Sequence, residues 1–257
     1  MARRFANAYG RGSSIYTSRV LGEFPDQGDE ALFRRSWLDA AVARRHDLGS
    51  EIDGPLVVAV DPARYGSDAT GVAIARGSVV QELEAWAGVS DLMATTERVC
   101  VLLERLGVHR AGGEGEPCKV VVDVVGLGAG VRDRLRELGY WTIEFNGGEQ
   151  PRQPERFLNR RAECHWYLRE QLEAGLVALP DDKDLIDELL SIRWSPTTQG
   201  KIRIEAKDQL KGRLGPSPDR ADAVTMALGF GAYEPPVISG QAFVASNVRF
   251  RRSSPWT

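Results

Sequence analysis

Leu56-Val57-Val58-Ala59-Val60-Asp61 decides the reading: an unbroken apolar run closed by an aspartate. A short apolar run without polar alternation suits a strand buried on both faces of a sheet. A carboxylate directly behind such a run is costly to bury without a partner. The pattern recurs at Val120-Val121-Val122-Asp123. In open α/β sheets, functional groups collect beyond the carboxyl ends of the strands. One such aspartate could simply begin a turn; for two of them, a shared cation is the simplest partner.

Working outward, a turn-rich stretch (62–68), an apolar run (70–75), Gly77-Ser78 and a third run (79–86) predict an antiparallel three-stranded meander. Ser90 is the expected N-cap of a helix reaching 106, with Leu92, Val99, Leu102, Leu103 and Leu106 facing inward. A Gly-rich loop leads to the second buried strand. Leu127, Val131, Leu135 and Leu138 then recur at helical spacing, and Gly139 supplies a stop. A short strand (141–145), helices at 155–173 and 182–190, a hairpin around 192–204 and a last helix over 217–230 complete the pass. The predicted class is α/β, ribonuclease H-like: a central mixed sheet, its first three strands antiparallel, flanked by helices. Residues 1–53 read as an N-terminal arm or linker with one short helix near 33–43. Residues 54–233 read as the domain, and 234–257 as a tail.

The last helix carries the third acidic element, Ser217-Pro218-Asp219-Arg220-Ala221-Asp222. Ser217 as N-cap and Pro218 at the first helical position form a clear start. Asp219 and Asp222, three apart, share one helix face. Acids in a first turn also favour the helix dipole, which accounts for Asp219 better than for Asp222. The small Ala221, Ala223 and Ala227 would let the helix pack close to a sheet. Carboxylates and water suit Mg²⁺ or Mn²⁺. No cysteine belongs to the cluster and no histidine is near it in sequence, which disfavours zinc. Two such ions, roughly 3.5–4 Å apart, could activate water and stabilise a leaving oxygen in phosphodiester cleavage. Asp61 is the expected bridging ligand and Asp123 a ligand of one ion, with Asp219 and Asp222 on the other side. Asp68 is a weaker candidate that could equally just solvate a turn.

The chain of 257 residues has 42% hydrophobic and 27% charged residues and a net charge of -3. These values exclude a mostly disordered chain. Its apolar stretches fall far short of the roughly 20 residues that cross a bilayer. No signal segment opens it, and the three cysteines form no framework, so a cytoplasmic location is expected. Acid gathers at 181–188. Base gathers at 152–169, at 201–213, and at Arg249, Arg251 and Arg252. Lys201, Arg203, Lys207, Lys211 and Arg213 could form a rim that holds DNA phosphates without reading bases; a solvated hairpin is the plain alternative. Trp194 fits core packing better than stacking on a base.

Three stretches, VVAVDPARYGSDATGVAIA (57–75), VVVDVVGLGAG (120–130) and SPDRADAVTMAL (217–228), resemble the nuclease motifs of tailed-phage large terminases. YTSRVLGEFP (16–25) resembles the linker between that family's packaging ATPase and its nuclease, so the match spans roughly residues 12–233. The resemblance implies a metal-dependent endonuclease that cuts concatemeric double-stranded viral DNA when packaging starts and ends. It maps the family's acidic residues onto Asp61, Asp123 and Asp219, with Asp222 as an extra member. It also implies a packaging ATPase domain, a portal and a small terminase subunit as partners, in the host cytoplasm. No G-x-x-x-x-G-K-[ST] loop occurs here, so translocation is not expected of this chain alone. The Asp-x-x-Asp-Ala ending resembles RuvC-type junction resolvases too, which is the runner-up. An actin- or sugar-kinase-like nucleotide module would use Gly126–Gly130 to cradle phosphates, but leaves Asp219 and Asp222 without a role. A non-catalytic scaffold would not need all four acids.

Overall fold

A computed structural model of the chain describes Val20 and residues 30–48, 52–63, 69–88, 91–111, 113–214 and 217–230. The central sheet is built from β1 (Leu56–Asp61), β2 (Ala69–Arg76), β3 (Val79–Ala87), β4 (Cys118–Asp123) and β5 (Thr142–Phe145), in the order β3-β2-β1-β4-β5. β1, β2 and β3 pair antiparallel, β4 joins β1 in parallel with Val60 opposite Val122, and β5 continues parallel to β4. This is the expected ribonuclease H-like sheet. Side chains alternate faces along a strand. Val57 and Ala59 therefore enter one core, while Leu56, Val58 and Val60 enter the other. Asp61 is in phase with the first pair, and Asp123 with Val121 of the same core. Both carboxylates leave the sheet on one face.

That face is covered by α1 (Arg35–Asp47), α4 (Arg160–Glu173), α5 (Lys183–Ser191) and α7 (Asp219–Thr225), the last continued by a π-turn over Met226–Phe230. The opposite face is covered by α2 (Leu92–Arg105) and α3 (Gly128–Glu137). Between α5 and α7 lie a small hairpin, β6 (Trp194–Pro196) with β7 (Ile202–Ile204), and α6 (Lys207–Leu214). Trp194 is buried edge-on against Trp166, centroids 4.8 Å apart, so it is a core residue.

The structure departs from the sequence reading in several places; α4, expected from 155, starts at Arg160 behind an Asn159 cap. Residues read as part of an arm belong to the packed unit: Leu32, Phe33, Leu38 and Ala41 are buried in the larger core. The Trp37 ring meets the guanidinium groups of Arg34 and Arg169, 5.3 and 5.2 Å from its centroid. The linker-like stretch 16–25 (apart from Val20), Ser90 and the tail lie outside the described residues; Asp91 caps α2 by accepting from the Met93 amide. α6 was not expected, because one buried leucine, Leu210, gives no readable period. Finally, α7 begins one residue later than Ser217 and Pro218 suggested and has no local side-chain cap. Its Ala221 amide donates instead to Glu188 Oε2 of α5 at 2.8 Å, a cap supplied through space.

Two glycines set how closely the elements meet at the acidic edge. A Cβ on Gly71 of β2 would lie 2.3 Å from the Asp219 carbonyl oxygen, so only glycine lets α7 reach the sheet there. A Cβ on Gly128 would lie 1.6 Å from the Asp123 carbonyl oxygen. Gly128 thus seats α3 on the end of β4, a packing role for the glycine-rich stretch. Gly128→Ala should cost about 1–3 kcal/mol or more through forced displacement. Gly212→Ala in α6, where an added Cβ meets nothing within 4 Å, should be neutral or stabilising by up to about 1 kcal/mol. Urea-denaturation midpoints measure both; equal effects would contradict the close-approach account.

Candidate active site

Strand ends, a helix start and a short helix converge at the carboxyl edge of the sheet. Asp61 and Asp123 arrive from β1 and β4, Asp219 and Asp222 from the first turn of α7, and Lys207 from the first turn of α6. All four aspartates are buried, with 5–9% of their surface exposed. They line one cavity of about 470 Å³ with Lys207, Lys211 and Arg161. The Lys207 ammonium lies 2.9 Å from Asp61 Oδ2, 3.0 Å from Asp222 Oδ2 and 3.8 Å from Asp123 Oδ2. A single positive charge therefore occupies the point on which three carboxylates converge.

Three further oxygens are tied to the backbone or to α4. Asp123 Oδ1 accepts from the Val125 amide at 3.0 Å, fixing the turn after β4. Asp219 Oδ2 accepts from the Ala69 amide at 2.8 Å, pinning α7 to the start of β2. The two acids of the last helix thus differ in position: Asp222 faces the shared cation, and Asp219 joins helix to sheet at the cavity wall. Asp222 Oδ1 lies 3.4 Å from an Arg161 guanidinium nitrogen and 3.4 Å from His165 Nε2.

Burial raises the Asp61 pKa to about 7, with Asp222 and Asp123 pushing the same way and Lys207 opposing. Burial also raises Asp123, against Lys207 and the Val125 amide, and raises Asp219. For Asp222 burial is outweighed by Lys207, Arg161 and His165, which hold it well below the usual carboxylate range. Asp61 and Asp222 share one lysine yet move in opposite directions, because Asp222 alone has two further cationic or donor neighbours. Lys207 is disfavoured by burial but raised overall by the three acids. Partial burial beside Asp219 raises Glu188 to about 8. The edge carries more negative charge than one lysine compensates.

The basic residues read as a DNA rim separate. Lys207 points into the carboxylates, and Lys211 lines the same cavity. Arg203 is exposed on β7 and donates to Ser195 Oγ; Arg213 is bound to Glu205 and the Ser191 carbonyl. Lys201, at the hairpin turn, does not line the cavity. Asp68 lies outside the described residues. Sequence reading missed Arg161, His165 and Glu188. Arg161 and His165 are four apart on α4, inside a stretch noted only as basic, and nothing local links them to Asp222, 61 residues beyond Arg161. One histidine is therefore near the cluster in space, although none is near it in sequence.

The donor chemistry fits divalent cations of the Mg²⁺ or Mn²⁺ kind. Three carboxylates already surround one positive charge, and Thr225 Oγ1, on the same cavity wall, is buried without a hydrogen-bond partner. The Asp61 and Asp222 oxygens stand at hydrogen-bond distance from the ammonium and that of Asp123 farther off, at 3.8 Å; among the described residues no three acidic, histidine or cysteine side chains are closed into a metal cage. A metal would hence compete with Lys207 for the same oxygens.

No family model matches the chain, and no curated protein matches it. Solved structures do. The nuclease domain of the large terminase subunit of bacterial virus Sf6 aligns at 25% identity over 77% of this chain and 97% of that one, with a TM-score of 0.63. A lysine-to-alanine variant of that domain with manganese aligns at 24% identity over 77% and 98%, TM-score 0.63. The large terminase nuclease of thermophilic phage G20c, with bound magnesium, aligns at 18% identity over 78% and 97%, TM-score 0.55. The fold is ribonuclease H-like. Within that class it is the fold of phage large terminase nuclease domains, the family its acidic motifs resemble.

A carboxylate with a raised folded pKa keeps a proton that the unfolded chain releases above about 4. The resulting stability is full below that pH and is lost as pH rises through the folded value, near 7 for Asp61 and near 8 for Glu188. In EDTA, these two groups should therefore make Tm fall between pH 6.5 and pH 8.5, above the range in which the unfolded chain protonates His165. Asp61→Asn should remove the part of the fall that ends near pH 7 and leave the part due to Glu188. An unchanged pH profile in Asp61→Asn would contradict the assignment.

Proposed function

We propose that this chain is a Mg²⁺- or Mn²⁺-dependent endonuclease that cuts double-stranded DNA, working as the nuclease of a phage packaging terminase. The observation that carries the reading is the convergence of Asp61, Asp123 and Asp222 on one cationic point at the sheet edge. Residues 54–233 form the nuclease domain on this reading, with α1 packed against it. The packaging ATPase, portal and small subunit would be its partners in a host cytoplasm; no described helix is long and apolar enough to cross a membrane.

Asp61, Asp123 and Asp222 would hold the metal, with Asp219 on the cavity wall as a further oxygen donor. Two bound ions would supply an activated water and offset the charge on the leaving oxygen of a phosphodiester. The protein's own part is to present ionised oxygens at a fixed edge. Asp222 stays charged because Arg161 and His165 support it from behind. Lys207 compensates the acids in the metal-free protein and would have to leave these oxygens for a metal to be held by them. Lys211, on the cavity wall, would meet the phosphate backbone. Lys201 and Arg203 extend that contact along the hairpin, which gives affinity without base reading. A junction resolvase would share all of this chemistry; the structural neighbours favour the terminase reading.

Purified protein should nick and linearise plasmid DNA in Mg²⁺ or Mn²⁺ and be inert in EDTA. Asp61→Asn and Asp123→Asn should abolish cleavage while Tm in EDTA stays level or rises, because each removes mutual repulsion; Asp222→Asn should abolish cleavage and lower Tm, because Lys207 and Arg161 lose the charge they compensate. Asp219→Asn should lose activity together with some stability, since its oxygen pins α7 to β2. Persistent cleavage in excess chelator, or in Asp61→Asn, would sink the mechanism. Preference for four-way junctions over linear duplex would move the assignment to a resolvase.

DNA affinity should fall steeply with salt and show little sequence preference. Charge reversal at Lys201, Arg203 and Lys211 should weaken binding evenly across sequences. Unchanged affinity in that triple variant would place the DNA path elsewhere.

A further inference from the structure

Asp222 is gripped from two sides. Oδ2 faces the shared cationic point, 3.0 Å from the Lys207 ammonium. Oδ1 faces α4, where Arg161 and His165, one turn apart on the same helix face, each stand 3.4 Å away. Both are held in turn. Arg161 donates from its guanidinium to the Glu205 carbonyl at 2.7 Å and from its amide to the Gly147 carbonyl at 3.0 Å. An added Cβ on Gly147 would meet Arg161 Cβ at 3.1 Å, so the loop sits hard against this residue. His165 is 1% exposed, and its Nδ1 lies 3.0 Å from the Arg161 carbonyl oxygen.

A buried imidazole is a poor core filler unless its nitrogens are used. Trp166, Leu168 and Leu172 of the same helix show that apolar side chains fill this layer readily. The ring has two acceptors within reach, the Arg161 carbonyl and the Asp222 carboxylate. Donation to the charged carboxylate is the stronger of the two. The first turn of α4 has no spare amides for an anion: those of Arg160, Arg161, Ala162 and Glu163 bond to Glu149, Gly147 and Asn159. What α4 directs at Asp222 is therefore the Arg161 guanidinium and the His165 ring.

We infer that His165, backed by Arg161, is a positioning residue that locks the rotation of the Asp222 carboxylate so that Oδ2 is aimed at the metal. The inference rests on Asp222 being a ligand, as proposed above. Outer partners of this kind set ligand orientation, and losing one typically costs about 10–100-fold in metal affinity.

Calorimetric titration of Mn²⁺ into the purified chain, paired with Tm in EDTA, tests this. His165→Phe keeps the bulk and removes both nitrogens. Its apo Tm should stay level or rise, while Mn²⁺ affinity falls about 10–100-fold. His165→Gln, whose terminal amide reaches Asp222, should recover most of the affinity; His165→Asn, one methylene shorter, should not. Unchanged affinity in the Phe variant, or Gln no better than Asn, would overturn the inference. If the Phe variant does not fold, the comparison of Gln with Asn decides alone. Asp222→Asn serves as the control: if it binds Mn²⁺ like the parent, the ligand reading fails whatever His165 does.

Discussion

Lys207 brings one positive charge to the place where three buried carboxylates meet, and the geometry of the whole edge follows from the need to compensate them. Buried acids repel one another and lose their hydration, so without a cation they take up protons, as the raised pKa of Asp61 records. One ammonium reduces this cost without removing it. Asp222 remains ionised because α4 adds a guanidinium and an imidazole on its far side. The site is held together by charge compensation that a divalent ion could supply better than a lysine.

The backbone arrangement serves this crowding. Parallel pairing of β1 and β4 puts two aspartates in phase on one face. Gly71 admits α7 to the sheet, and Gly128 seats α3 on the end of β4. Asp219 bonds to β2 and Glu188 caps the helix across space, so the element that carries Asp222 is anchored at two points outside the cation site. Functional sites that gather like charges need such rigid support, because the charges themselves favour separation.

Much of this was legible in the sequence. The two apolar runs ending in aspartate carry their own burial signal, and Asp219 with Asp222 announce themselves through helix spacing. What was not legible depends on distance along the chain. Lys207 looked like one base among five, because only the fold turns α6 so that it enters the acidic cluster. His165 and Arg161 lay in a basic stretch with no local sign of Asp222. The cap of α7 comes from Glu188, whose role appears only when α5 packs beside it. α1 was read as part of an arm because its polar surface hides the few residues, Leu38 and Ala41 among them, that bury it. Periodicity reports an element's own face; it does not report which elements meet.

The central claim is that the point now filled by the Lys207 ammonium is the metal site. A crystal of the protein soaked in Mn²⁺ and measured at the manganese absorption edge tests it most directly. Anomalous density bounded by Asp61, Asp123 and Asp222, with Lys207 withdrawn from those oxygens, is the predicted result. Manganese bound only along the exposed acidic run at 181–187, with Lys207 still against Asp61 and Asp222, would contradict it.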